Sequence, residues 1–254
     1  MFELVTRAPA SGLRPWVMSL YGYEERAAGP VVMEEGPAPY VPVIVDFGPG
    51  WLIDGERRGS FAAGLSEARA VVEHAGHGHC MQFNLTPLGA HGLFGLPMHE
   101  LAGRCVPLDA LLEGASELEE RLYEAGSWSA RLALLENELL NRLAQVEAPP
   151  VAHAWKKLVE EGGRTRIGEL ADDLGWSHRR LIAEFRDQVG LRPKQVANVL
   201  RFDRASRMLG EGGSPADVAF DCGYSDQAHL TREFTRYAGR TPGNFLQDAG
   251  AAAA

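Results

Sequence analysis

Cysteine is scarce. The three present in 254 residues, Cys80, Cys105 and Cys222, are odd in number and show no pairing by spacing, which excludes a disulfide framework. Such usage suits a reducing compartment, and the cytoplasm is the expected location. Long apolar runs are also missing: none approaches the ~18 residues of a membrane span, so no membrane partner is expected. The opening MFELVTRAP lacks the basic stretch and apolar run of a secretory signal. Basic charge is short as well, with 25 Lys+Arg against 34 Asp+Glu and a net charge of −9. Taken whole, that balance argues against a nucleic-acid partner. Taken by segment it does not: residues 1–149 hold 10 basic and 20 acidic side chains, residues 150–254 hold 15 and 14. The acidity belongs to the first half. In the second, a net charge of +1 leaves the placement of the arginines to decide.

The chain is long enough for two domains. Residues 1 to about 110 are rich in Gly and Pro, with short apolar runs between turn signals. Val41–Phe47 and Met81–Leu85 read as strands, the latter alternating Met81, Phe83 and Leu85 with Gln82 and Asn84. Strands at this spacing point to a β-sandwich or a small cupin-like barrel. Between about 107 and 145 the period becomes helical, and Leu132, Leu135, Leu139 and Leu143 form one stripe. Ala148-Pro149-Pro150 then breaks the chain, and the remaining residues read as helix. The expected architecture is therefore α+β multidomain. A β-rich domain over 1–147 ends in a leucine-rich helix, an all-α domain follows over 151–247, and 248–254 form a disordered tail.

Within the helical part, two stretches are versions of one another. Leu170-Ala171-Asp172-Asp173-Leu174-Gly175-Trp176-Ser177 runs on through Leu181 and Phe185 to Gly190 and Pro193. Val218-Ala219-Phe220-Asp221-Cys222-Gly223-Tyr224-Ser225 runs on through Leu230 and Phe234 to Gly239 and Pro242. Glycine to glycine the offset is 48 and phenylalanine to phenylalanine 49, so the second copy carries one extra residue in its turn. A short helix, a Gly-aromatic-Ser turn and a second helix make a helix-turn-helix, the unit that lays a helix in the DNA major groove. A long helix from about Pro193 to Leu209 joins the copies. At ~1.5 Å per residue it spans roughly 25 Å. With the width of the flanking units, that is comparable to the ~34 Å between successive major-groove faces.

RIGELADDLGWSHRRLIAEFRDQVGLRPKQ, RFDRASRML and ADVAFDCGYSDQAHLTREFTRYAGRTPGNF, in this order, resemble the DNA-binding domain of AraC/XylS-type transcription regulators. The second copy matches most closely, at Ala219, Gly223-Tyr224, Asp226, His229-Leu230, Arg232, Phe234, Gly239 and Pro242. The resemblance covers about residues 153–247 and implies two helix-turn-helix units binding double-stranded promoter DNA, with RNA polymerase as the downstream partner. The segment LTPLGAHGLFG resembles, more faintly, the sensor halves of such regulators, which implies a small-molecule effector. Ala183 and Glu184 depart from the family, which has a longer polar residue and an apolar one there; the first unit is expected to read fewer bases by hydrogen bond.

Helical spacing sorts the faces. Leu181, Phe185 and Val189 fall on one stripe facing the core, leaving Arg179, Ile182, Ala183 and Arg186 outward. Arg179 suits a guanine edge, Ile182 and Ala183 suit thymine methyls, and Arg186 and Arg180 suit phosphate, with His178 as a further backbone contact. Arg180 has a rival role, pairing with Glu184 one turn on. In the second unit Leu230 and Phe234 turn inward, leaving Gln227, Ala228, Thr231 and Arg232 outward. Gln227 suits an adenine edge and Arg232 a guanine or phosphate, while Asp226 is placed to cap its helix.

The competing reading is a metal-dependent cupin-type enzyme or metal sensor built on His77 and His79 in EHAGHGHC. His-x-His is similar to one element of a cupin site, but the acid expected a few residues on is missing from Cys80-Met81-Gln82-Phe83-Asn84. The two histidines flank a glycine and read as a solvated turn. No metal ligand, cofactor or catalytic residue is assigned, and an enzyme is not expected. Trp16, Trp51, Phe61 and Phe83 are candidates for an apolar ligand pocket, with the core as their plain alternative. The leucine stripe either packs on its own β domain or pairs with a second copy; the family resemblance favours a homodimer.

Overall fold

The computed structural model of the chain describes residues 1–245; the expected tail over 248–254, with 246 and 247, lies outside the described residues. Among these, the first half folds as two sheets. The larger joins β1 (Phe2–Arg7), β2 (Val17–Arg26), β9 (His77–Leu85), β4 (Val41–Asp46), β7 (Phe61–Ala63) and β10 (Cys105–Pro107), in that spatial order. The smaller joins β3 (Val31–Glu35), β8 (Ala70–His74), β5 (Trp51–Ile53) and β6 (Glu56–Arg58). All the pairings are antiparallel. The β5–β6 connection is Asp54-Gly55, both at positive φ (50° and 82°), the backbone a two-residue hairpin turn requires.

Helices close one side of the larger sheet: α1 (Pro87–Phe94), α2 (Ala115–Glu124) and α3 (Trp128–Leu143). Thr86 caps α1, its hydroxyl accepting from the Gly89 amide at 3.0 Å, and Ser127 caps α3 through the Ala130 amide at 3.3 Å. Leu132, Leu135, Leu139 and Leu143 are buried in the core of their own domain, with α3 packed on α1, α2 and β2. The stripe is thus already covered, and a second copy would have to use another surface. Glu136 lies beside the stripe and is itself buried; it accepts from Arg7 Nε and the Ala10 amide, each at 2.9 Å, tying α3 to the end of β1.

The rest of the chain is α4 (Val151–Glu160), α5 (Ile167–Asp173), α6 (His178–Gln188), α7 (Pro193–Gly210), α8 (Pro215–Asp221) and α9 (Gln227–Ala238). Its hydrophobic interior does not divide at the proline break. One continuous core runs from Leu13 and the larger sheet through Leu170, Leu181, Phe185 and Val189 to Leu200 on α7. A separate core, from Phe202 through Val218, Leu230 and Phe234 to Tyr237, belongs to the second helix-turn-helix unit. The seat of α6 is α1 together with the short 3-10 turn at Met98–Glu100. Gly190, just after α6, comes so near the Met98 carbonyl that a Cβ would lie 3.0 Å from it, and its φ of +99° also requires glycine.

Glu67 bridges the β-rich part to α7 and to the second unit. Glu67, in the loop between β7 and β8, accepts from Gln195 Nε2 on the first turn of α7 at 2.8 Å and from the Tyr237 hydroxyl on the last turn of α9 at 3.0 Å. Gln195 also closes the start of α7, its Oε1 accepting from the Arg192 amide at 3.0 Å.

Candidate nucleic-acid interface

The duplication is visible in the hydrogen bonds. After α5, Gly175 adopts φ +62°, its amide reaches the Asp172 carbonyl at 3.0 Å, and the Trp176 amide reaches the Ala171 carbonyl at 2.8 Å. After α8, Gly223 adopts φ +74°, with Gly223 to Phe220 at 3.1 Å and Tyr224 to Ala219 at 2.9 Å. Both are Schellman turns, in which a left-handed glycine lets the chain satisfy the last carbonyls of one helix while aiming the next.

The two units cap their second helices one position apart. In the first unit Ser177 caps α6, its hydroxyl accepting from the Arg180 amide at 3.2 Å. In the second, Ser225 is passed over and Asp226 caps α9, accepting from the His229 amide at 2.7 Å. That bond holds the Asp226 carboxyl below its ordinary value. The shift of the cap from the serine to the next residue accounts for the change of offset from 48 to 49 in the sequence.

Leu181 and Phe185, and Leu230 and Phe234, are fully buried. On α6, His178, Arg179, Arg180, Ile182, Ala183 and Arg186 are exposed; on α9, Gln227, Ala228 and Arg232 are exposed and Thr231 is half-buried. Ile182 stands 37% exposed, an apolar surface on a helix that the described residues leave open. Arg179 and Arg186 make no hydrogen bond or ion pair with the described residues. Arg180 does: its guanidinium lies 4.4 Å from the centre of the Trp176 ring and 3.8 Å from Glu184 Oε1. Its charge is shared within the helix, so a phosphate would compete for it. Thr231 donates its hydroxyl to the Gln227 carbonyl at 2.9 Å, leaving its methyl and the oxygen lone pairs for a partner.

His77 and His79 are not in a turn. They lie on β9, with Gly78 opposite Glu25 and His79 opposite Glu24 of β2. Pairing with β2 supplies the extended backbone that a lone His-Gly-His suggested would bend. The His77 ring stacks on His79 at 6.0 Å, and His79 packs against Phe47 and Trp128 and faces Arg131 Nη1 at 3.2 Å. Burial and the nearby Arg131 push the His79 ring below its usual pKa. A guanidinium at that nitrogen is a poor neighbour for a metal, and no cluster of three or more ligating side chains occurs among the described residues.

Between the two sheets lies a cavity of about 430 Å³. Trp51 and Phe61 line it, as their aromatic character suggested, whereas Trp16 and Phe83 belong to the main core. Sequence reasoning missed Tyr21, Tyr40 and Glu35, which also line it. The signal was present in β3, where Met33 and Glu35 share one face and Val32 and Glu34 the other. Loop residues Ser66, Ala68 and Arg69, the neighbours of Glu67, line the same cavity.

Comparison with known proteins matches the two parts separately. Residues 170–248 fit a family described as a helix-turn-helix domain, and residues 5–107 one described as a domain of unknown function (DUF6597). YbfI of Bacillus subtilis (strain 168), an uncharacterized HTH-type transcriptional regulator, is 30% identical over 171 residues, 64% of this chain and 57% of that protein. RhaS of Escherichia coli O157:H7, an HTH-type transcriptional activator, is 33% identical over 79 residues, 31% of this chain and 28% of that one. The chain thus spans little more than half of the first relative and under a third of the second. ToxT of Vibrio cholerae O395 superposes over 97% of this chain and 96% of its own, with a TM-score of 0.45 and 9% identity. No helix among the described residues is long and apolar enough to cross a membrane. The matched region, with its paired Schellman turns and capped second helices, is thus a helix-turn-helix domain, similar to those of HTH-type transcriptional regulators.

Proposed function

We propose that this chain binds promoter DNA in the cytoplasm by laying α6 and α9 in successive major-groove faces, under control of a small molecule taken into the cavity between its sheets. The part before the proline break senses and the part from 151 to 247 binds DNA. The observation that carries this reading is the pairing of two capped helices on one connector, each presenting cationic and short side chains that its own chain leaves open. The connector, α7, has 18 residues. At ~1.5 Å each it is roughly 27 Å long, close to what two adjacent grooves need once the units' own width is added. Arg179 grips a guanine edge, Ile182 and Ala183 contact thymine methyls, and Arg186 holds phosphate with help from Arg180 and His178. In the second groove Gln227 reads adenine, Arg232 a guanine or phosphate, and Ala228 and Thr231 pack on neighbouring bases. RNA polymerase is the partner such a bound regulator acts on, and a second copy of the chain on an adjacent site is a further one.

The test is selection of bound duplexes from a random pool, with and without candidate small molecules. Two unequal half-sites about one helical turn apart are expected, and affinity falling steeply with salt as phosphates release their counterions. Arg179→Ala is expected to cost about 1–3 kcal/mol at one base position and relax preference there. An unenriched pool, or an Arg179→Ala protein with the same preference at every position, defeats the reading.

A further inference from the structure

The cavity has a definite charge character. Its walls come from both sheets: Tyr21 of β2 stands opposite Gln82 of β9, which stands opposite Ile44 of β4, and from the smaller sheet Met33 stands opposite Val72. All of these line it, together with the rings of Tyr40, Trp51 and Phe61. A volume of about 430 Å³ lies within the ~300–1,000 Å³ of small-molecule sites.

Two acids and two bases line this space: Asp54, Glu35, Arg69 and Arg104. Three are engaged. Asp54 accepts from the Val71 amide at 2.8 Å, Arg69 pairs with Glu34 at 3.2 Å, and Arg104 donates to the Glu100 carbonyl at 3.1 Å. Glu35 has no hydrogen-bond or ion-pair partner among the described residues. Strand register makes the difference: on β3 the pleat sends Glu34 outward to Arg69 and puts Glu35 on the cavity face with Met33. Water reaches Glu35 through the open side, yet the surrounding protein raises its carboxyl above the ordinary carboxylate range. Among the charged side chains of this aromatic-walled chamber, Glu35 is thus the one with no donor or acceptor of its own among the described residues, and a cation is the group it would hold. Ring faces attract cations as well, more strongly when water is excluded.

We propose that the cavity takes a small molecule joining an apolar, ring-sized body to a cationic group, the cation seated at Glu35 beside Tyr21 and Tyr40. The proposal rests on the cavity being the effector site and specifies the chemistry of its occupant. Against an anion stand the pairing of Arg69 with Glu34 and the repulsion of Glu35, while Arg104 is held by the Glu100 carbonyl.

The test uses the full chain and three probes of one shape: 3-phenylpropylammonium, 3-phenylpropan-1-ol and 3-phenylpropanoate, with binding followed by calorimetry. The ammonium is expected to bind about tenfold more tightly than the alcohol, the carboxylate most weakly. Glu35→Gln, checked for an unchanged unfolding midpoint, should abolish the preference while the alcohol still binds within about twofold of its original affinity. Equal binding of alcohol and ammonium, or a preference that survives Glu35→Gln, overturns the proposal. Tightest binding of the carboxylate overturns the charge assignment but leaves an effector in the cavity. Failure of all three probes removes the cavity as the effector site as well, while the DNA selection reports independently on promoter binding.

Discussion

Replacing Glu67 by alanine removes both ends of one bridge. Its two oxygens are used separately, one by Gln195 on the first turn of α7 and the other by Tyr237 on the last turn of α9. A hydrogen bond to a charged group contributes about 1.5–3 kcal/mol net when buried, and less when water reaches it. Glu67 is half-buried and the two bonds share one acceptor group, so their joint loss is expected to cost about 2 kcal/mol. Tyr237 makes that loss sharper, because it is wholly buried and its hydroxyl would be left without an acceptor. Amide hydrogen exchange is the discriminating assay. A loss of about 2 kcal/mol confined to this junction raises opening about 30-fold at the start of α7 and the end of α9 and leaves the β-sheet amides untouched. Glu67→Gln should fall between the two proteins, since its Oε1 still accepts from Tyr237 while its amide nitrogen faces the Gln195 donor. Unchanged exchange at both helix ends, with an unfolding free energy within about 0.5 kcal/mol of wild type, would refute the bridge.

The paired turns and the buried phenol each carry an expectation of their own. Gly175 has a φ of +62° and open space where a Cβ would go, so Gly175→Ala meets backbone strain alone and should cost about 1–2 kcal/mol in chemical unfolding. Gly223→Ala carries the same strain plus a Cβ contact with the Arg164 side chain at 3.1 Å, and should cost at least as much; a markedly cheaper Gly223→Ala would break the equivalence of the turns. Burial, then the nearby Glu67 carboxylate, push the Tyr237 phenol up to about 12. Its neutral form is the native one, so its contribution is intact below the unfolded value near 10 and is lost as pH rises from there through 12. The stability gap between wild type and Tyr237→Phe should therefore close over that window, and a gap constant from about pH 9 to 12 would contradict the assignment.

What could be read from the sequence was whatever local chemistry imposes. Gly175 and Gly223 announced their turns because few other residues accept positive φ, and Asp226 marked a helix start through an oxygen that ends up accepting a backbone amide. The buried faces of α6 and α9 came from spacing alone. What stayed hidden needed partners distant in the chain. Four leucines on α3 say that one face is apolar, not which surface covers it; the cover is α1, α2 and β2. His-Gly-His looked like a turn until β2 supplied its ladder. Glu67 sits in an irregular loop and meets residues 128 and 170 positions away, with no periodicity to flag it. The cavity residues are drawn from both sheets, and only the sheet order brings Tyr21, Tyr40 and Glu35 round one space.

The two helix-turn-helix units began as copies but have unequal freedom to diverge. The first shares its interior with the larger sheet, so a change in the size of Phe185 or Val189 is felt by Met98 and the residues around it. The second keeps its own interior and meets the β-rich part at Glu67, at Gly36 against Phe202 and at Arg69 against Gly239. On the proposed reading, substitutions within the second unit alter half-site preference with little disturbance to the cavity, and new operators are acquired through it while the first unit keeps its half-site in step with the larger sheet.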